Sequence, residues 1–166
     1  MKEICNGCGA EVECIEYEVP PDTDVAPGCW NLFCDLLSNE YGEHTYPPIT
    51  HRLTVDAYAC QHPGAPSEQS IQSIAVHLIS LYLIIEKGVE SRTATDTIRK
   101  ALGKKLEFSW LEPPEDRGKM TILDISEQKD PESINSAVKK WAQAVWDAWS
   151  SHHDTVKKWA EEVHTQ

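Results

Sequence analysis

A cysteine knuckle, Cys5-Asn6-Gly7-Cys8-Gly9, is the feature that most constrains this chain. Two cysteines separated by two residues and followed by glycine can turn back on themselves and direct both sulfurs at one metal ion. Two more cysteines, Cys14 and Cys29, follow in a stretch with little helical or strand pattern. Residues 1–27 have almost no apolar core of their own. The sequence therefore predicts a metal-binding arm over residues 1–27 that is organised by a tetrahedral zinc site.

Three cysteines are the best candidates for the zinc ligands, namely Cys5, Cys8 and Cys29. The fourth ligand stays open. Cys14 is nearest in sequence, whereas His62 or His153 could reach the site from the rest of the chain. A structural zinc of this kind supplies about 10–16 kcal/mol of binding energy, which would offset the missing core. A thioredoxin-like redox site would need a βαβ setting, and the sequence has no such pattern.

Charge and cysteine usage narrow the class of protein. The formal net charge of the 166 residues is −12, and no basic patch is visible, so nucleic acid is not expected as a partner. The longest apolar run, Ile74 to Ile85, is interrupted by His77 and Ser80, so no membrane span is expected. The first residues lack the apolar stretch of a signal peptide. Six cysteines without an export signal predict a cytoplasmic protein.

Residues 28–166 predict an all-α helical bundle. Proline and glycine breakers, caps and apolar spacing mark four helices before residue 104, a possible short strand after them, and one long helix at the end. The long helix begins at the cap Asp130-Pro131 and keeps a three-four apolar spacing as far as Val163, with His152 as a polar member. The predicted helix ranges are 28–41, 50–61, 67–88 and a fourth that starts at 91 or 93 and ends at 102; the predicted strand is 120–125.

Histidines suggest a second site inside the bundle. His77 lies in the apolar third helix and His152 in the apolar seam of the last, so both rings are expected to face the interior, where they need partners. With His51 and Asp56 from the second helix they could form a catalytic metal site that activates water. The alternative is that each is a hydrogen-bonded core residue and that Asp56 pairs with Arg52, one helical turn away.

Several motifs together resemble a family of uncharacterised bacterial proteins, a domain of unknown function. These motifs span nearly the whole chain and are CxxCGA at residue 5, PGCW at 27, HRLTVDAY at 51 with QHPG at 61, SIAVHL at 73, WLEPP at 110 and the tryptophan-histidine segment 149–159. The resemblance implies that these cysteines and histidines belong to one design. It also implies a histidine between CxxC and PGCW, which residues 11–26 lack, so Cys14 is a candidate substitute.

Three functions are consistent with these features. The first is a zinc-binding metalloprotein that acts as a metal-dependent enzyme on a small molecule in a histidine-lined pocket. The second is a non-enzymatic, zinc-stabilised module that binds another protein through its acidic surface. The third is a redox or metal sensor with exposed thiolates. The amphipathic last helix could also pair two copies in a homodimer.

Overall fold

Helices make up most of the computed structural model, which describes residues 1–42, 46–104 and 106–165. In chain order, the described elements are β1 (Lys2–Ile4), β2 (Glu11–Glu13), α1 (Pro27–Gly42), α2 (Pro48–Gln61), α3 (Glu68–Ile85), α4 (Ser91–Gly103), α5 (Ile122–Ser126), α6 (Pro131–Ala148), a 3₁₀ turn (Ser150–His152) and α7 (His153–Thr165). The predicted all-α class with an N-terminal knuckle is confirmed.

The N-terminal arm contains a small β-hairpin that its sequence pattern did not predict. Strands β1 and β2 pair antiparallel with Glu3 opposite Val12, and the cysteine knuckle forms the turn between them. Val12 is 2% exposed and packs inward. A Cβ at Gly28 would lie 2.2 Å from the carbonyl oxygen of Glu13, so β2 lies directly against the start of α1. The division at residue 27 stays a prediction.

Helix α3 is the central element of the core. A capping box at Ser67 and Ser70 fixes its start, and ten of its residues are buried. It contacts α2, α4, α6 and α7. Among the described residues it is the one helix long and apolar enough to cross a membrane, and 56% of that stretch is buried inside the protein. This burial is the property of a core helix.

The predicted single C-terminal helix is wrong, because the chain forms two helices there. Helix α6 ends at Ala148, and α7 starts at His153 after a 3₁₀ turn. The fully buried Trp149 donates from its indole Nε1 to the carbonyl oxygen of Cys60, 3.1 Å away. His153 stacks on Trp146 with ring centroids 3.7 Å apart. The long-range Trp149 contact and the local His153 contact thus lie at the break between the two helices.

The predicted strand at Met120 to Ile125 is also wrong, because the described segment forms the short helix α5. Thr121 caps the helix by accepting a hydrogen bond from the backbone N–H of Leu123. Asp124 accepts from the backbone N–H of Thr121 at 2.8 Å, which completes a capping box. This local cap outweighs the β-branched composition of a segment only five residues long.

Candidate metal centre

Four side chains from three separate segments meet at one point: Cys5, Cys8, Cys29 and His62. Their ligand atoms all lie within 4.8 Å of one another. The Nε2 atom of His62 is 3.5 Å from both the Cys5 and the Cys29 sulfur. The sulfurs of Cys8 and Cys29 are 3.8 Å apart. Within residues 1–42, 46–104 and 106–165, this is the one group of three or more histidine, cysteine, aspartate or glutamate residues that is positioned to hold a metal ion.

Local structure places the two knuckle cysteines. The backbone N–H of Cys5 donates to the carbonyl of Ala10, and that of Gly9 donates back to Cys5, both at 2.8 Å. Gly9 has a φ of +79°, a left-handed conformation that glycine adopts without strain. A Cβ at Gly7 would lie 2.3 Å from Cδ2 of His62. The knuckle can therefore approach the histidine this closely only with glycine at that position.

The other two ligands stand at helix ends. Cys29 is in the first turn of α1, where the positive end of the helix dipole favours a thiolate. His62 is the C-cap residue of α2. Its Nδ1–H donates to the carbonyl of Tyr58 at 2.7 Å, which leaves Nε2 facing the sulfurs. A hydrogen bond of this kind fixes the tautomer and ring orientation that a metal-binding histidine needs.

The centre is shielded from solvent and electron-rich. Cys5 and Cys29 are fully buried and His62 is 8% exposed. In the metal-free cluster, hydrogen bonds from Cys29 and Cys8 lower the pKa of Cys5 and so favour its thiolate. Burial disfavours a charged imidazole, but the Cys5 and Cys8 sulfurs outweigh it and raise the pKa of His62 to about 9. The site thus attracts positive charge, which a metal cation would supply.

Arg117 ties the knuckle to the end of α2. Its Nη1 donates to the carbonyl of Gly7 at 2.9 Å and to a carboxylate oxygen of Asp24 at 2.8 Å. The same atom lies 3.3 Å from the carbonyl oxygen of Gln61, the residue before His62. Tyr58 adds a second support, since its hydroxyl is 3.3 Å from the Cys29 sulfur. Both residues act around the ligands rather than as ligands.

Sequence reasoning missed both supporting residues. Tyr58 stands one helical turn before His62, and this i, i+4 spacing is a signal that could have pointed to it. Arg117 lies in an irregular segment more than fifty residues from any ligand, and nothing in the local sequence marks it.

The structure places the remaining proposed ligands elsewhere. Cys14 is exposed at the end of the hairpin, and its backbone N–H donates to the carbonyl of Met1. His153 donates from Nε2 to the carbonyl of Trp146 at 2.7 Å and stacks on that indole. Neither belongs to the four-residue group. Of the three candidates for the fourth ligand, the structure brings His62 to the site.

The histidines proposed for a catalytic site are held by different partners. Nδ1 of His77 lies 2.8 Å from Oδ1 of the fully buried Asp56. Asp56 also accepts from Arg52 at 2.6 Å. The Arg52–Asp56 pair that the sequence offered as an alternative is therefore present together with the contact between His77 and Asp56. His51 lies 3.7 Å from Glu40 across the same region. His152 is only partly buried and donates from Nε2 to the carbonyl of Glu112 at 2.8 Å.

A cavity of about 300 Å³ adjoins the cysteine centre. Its aromatic wall is formed by Trp30, Phe33, Tyr58 and His62. The Phe33 and Tyr58 rings stack with their centroids 3.9 Å apart, and Tyr58 is 4.1 Å from His62. His62 thus belongs both to the lining of this cavity and to the four-residue group.

The comparisons with known proteins identify a family without assigning an activity. A search of curated proteins and a search of solved structures each gave no match. The model of a family of unknown function, DUF5946, matches residues 3–150, a range that includes all four residues of the metal centre. The chain therefore belongs to the DUF5946 family.

Proposed function

We propose that the chain binds one Zn²⁺ through Cys5, Cys8, Cys29 and His62. The spacing of the ligand atoms carries this proposal. A tetrahedral zinc with bonds of about 2.3 Å to sulfur and about 2.0–2.1 Å to nitrogen has ligand edges of roughly 3.8 Å between sulfurs and roughly 3.6 Å from sulfur to nitrogen. The corresponding distances in this chain are 3.8 Å and 3.5 Å. Three thiolates and one imidazole are also a ligand set that suits zinc.

The role of the ion is structural. Four protein ligands complete a tetrahedron, so no position is left for the water or substrate that a catalytic zinc binds. The ligands join the β-hairpin, the start of α1 and the end of α2. Zinc binding of about 10–16 kcal/mol in such sites is folding energy, because the site does not exist in the unfolded chain. We therefore favour a zinc-stabilised module over a zinc enzyme.

A reducing compartment such as the cytoplasm suits this function. Three of the ligands must be thiolates, and oxidation to disulfides would remove them. The six cysteines of the described structure are all free. A partner, whether a small molecule or a protein, would then bind to the surface that zinc stabilises rather than to the ion.

Metal analysis of tag-free protein tests the proposal. Mass spectrometry should find one zinc per chain, lost in Cys8→Ser and kept in the matched variant Cys14→Ser, whose thiol is exposed and outside the group. Cobalt substitution should give the strong visible absorption of tetrahedral thiolate coordination. Zinc retained in Cys8→Ser, or a cobalt spectrum of five- or six-coordinate metal, would contradict the closed site.

A further inference from the structure

A second cleft, remote in function from the zinc centre, gathers most of the chain's arginines. The chain has four: Arg52, Arg92, Arg99 and Arg117. The first three line one cleft of about 760 Å³ between the end of α1, the start of α2 and α4, together with His51. No lysine lines it. In a chain of net charge −12, such a concentration of guanidinium groups needs an explanation.

The cleft keeps its positive character despite two acidic residues in its lining, Glu40 and Asp96. Asp96 is 3.7 Å from Arg99 on the same helix, an exposed pair of little strength. Burial raises the pKa of Glu40 to about 7, so much of it is neutral near physiological pH. Arg52 is paired with the buried Asp56, so the exposed Arg92 and the weakly paired Arg99 contribute most of the positive field in the cleft.

Two helix starts add to this field. Pro47 precedes α2 and makes no capping hydrogen bond from its side chain, and Glu90 before α4 makes none either. Neither first turn contains an acidic residue. Pro47, Pro48 and Ser91 from these starts all line the cleft. Helix N-termini carry partial positive charge and bind anions through backbone N–H groups, of which α4 offers more than α2, because Pro48 has no N–H.

Arg52 is a largely buried residue of the cleft wall. Its side chain is 17% exposed. Asp56 accepts from its Nη2 at 2.6 Å, and Asp56 is itself fixed by Ser80 and His77. The buried Nε of Arg52 has no hydrogen-bond partner among the described residues. Oε1 of Glu40 makes no hydrogen bond there either, but it lies 3.7 Å from Nδ1 of His51. Both residues line the cleft. A buried donor without a partner, such as Nε of Arg52, calls for an acceptor from outside the chain, such as a water or an ion.

We propose that this cleft binds a small polyanionic molecule, with Arg52, Arg92 and Arg99 holding its phosphate or carboxylate groups. The planar guanidinium matches either group with paired hydrogen bonds. Arg52, oriented by Asp56, forms the floor, whereas the exposed Arg92 and Arg99 close over the anion from α4. Glu40 accepts a hydroxyl of the ligand or, when protonated, donates to it.

The Nε–Hε signals of the arginines test the proposal in one NMR experiment on the zinc-loaded chain. Pyrophosphate and citrate are titrated separately at constant ionic strength as phosphate and carboxylate probes. Saturable shifts are expected for Arg52, Arg92 and Arg99, with half-saturation below roughly 1 mM for the better probe. Arg117 should not move, because its Nε donates to the carbonyl of Pro114 outside the cleft.

Paired variants separate the cleft from net charge. Arg92→Gln with Arg99→Gln should weaken binding of the better probe at least about tenfold. Lys139→Gln with Lys140→Gln changes the net charge equally on the exposed side of α6 and should leave binding unchanged. The proposal is overturned if neither probe gives saturable shifts, if Arg117 shifts as much as the others, or if both double variants weaken binding equally.

Discussion

Replacing the buried Glu40 by glutamine should stabilise the protein increasingly as the pH rises. The Glu40 side chain is 1% exposed, and its Oε2 accepts from Thr54 Oγ1 at 3.0 Å. Burial raises its pKa from the ordinary 4.5 to about 7, even though the Thr54 hydrogen bond acts in the opposite direction. Glutamine has nearly the same shape and keeps an acceptor for Thr54, but it carries no ionisable group.

The direction of this pH dependence follows from how many protons Glu40 binds in the native and in the unfolded state. Because its pKa is higher in the native state, native Glu40 keeps a proton that the unfolded chain releases, so native stability falls as the pH rises from 4.5 through about 7. Each pKa unit is worth about 1.4 kcal/mol, which gives a total loss on the order of 3 kcal/mol. Roughly 1–2 kcal/mol of it falls between about pH 6 and about pH 8.5, a range in which zinc-loaded protein can be compared.

Urea unfolding of wild type and Glu40→Gln at both pH values measures this effect. The free-energy gap between the two proteins should shift by roughly 1–2 kcal/mol in favour of the variant at the higher pH. Glu161→Gln, at an exposed position on α7, is the control and should show a constant gap. A Glu40→Gln gap that stays constant with pH, or that shifts in favour of wild type, would refute the argument.

Two further substitutions probe the packing around the metal centre. Gly7→Ala should lower zinc affinity by roughly 10–100-fold in a chelator competition, because its methyl group would displace the His62 ring. Gly103→Ala, which has nothing within 4 Å of the added methyl, should bind zinc like wild type; equal affinities in both variants would contradict the close approach. Gln61→Leu should lower the free energy of unfolding by about 2–4 kcal/mol, since it leaves the buried indole N–H of Trp141 without its 3.0 Å acceptor and two carbonyls without a donor. A loss below about 1 kcal/mol in urea unfolding would show that this network does not contribute as proposed.

Local spacing predicted the parts of the centre that depend on local structure. The CxxCG knuckle needs only its own five residues, and Cys29 follows a Pro-Gly breaker that starts α1. The choice of His62 over Cys14 or His153 depends on where α2 ends relative to the hairpin. Spacing along the chain carries no information on the distance between the end of α2 and the hairpin. Arg117, which fixes it, comes from a distant irregular segment.

Periodicity predicted the helical class and most helix positions, but it did not reveal the break between α6 and α7 at Trp149. The apolar positions Val145, Trp149, Val156 and Trp159 stay buried on both sides of the 3₁₀ turn, so the three-four pattern continues through it. At this break the indole Nε1 of Trp149 donates to the carbonyl oxygen of Cys60, a contact across 89 residues. The predicted interior position of His77 needed a partner, and Asp56 supplies it.

The distribution of the four ligands along the chain has a consequence for synthesis on the ribosome. His62 lies 33 residues after Cys29 in the chain, and Cys5 and Cys8 are synthesised before Cys29. At about 5–20 residues per second, the growing chain carries three thiols without their imidazole for roughly 2–7 seconds. During that interval a metal ion can bind only with an incomplete set of these four ligands, so the final ligand to emerge also decides when the arm becomes fixed to the helices.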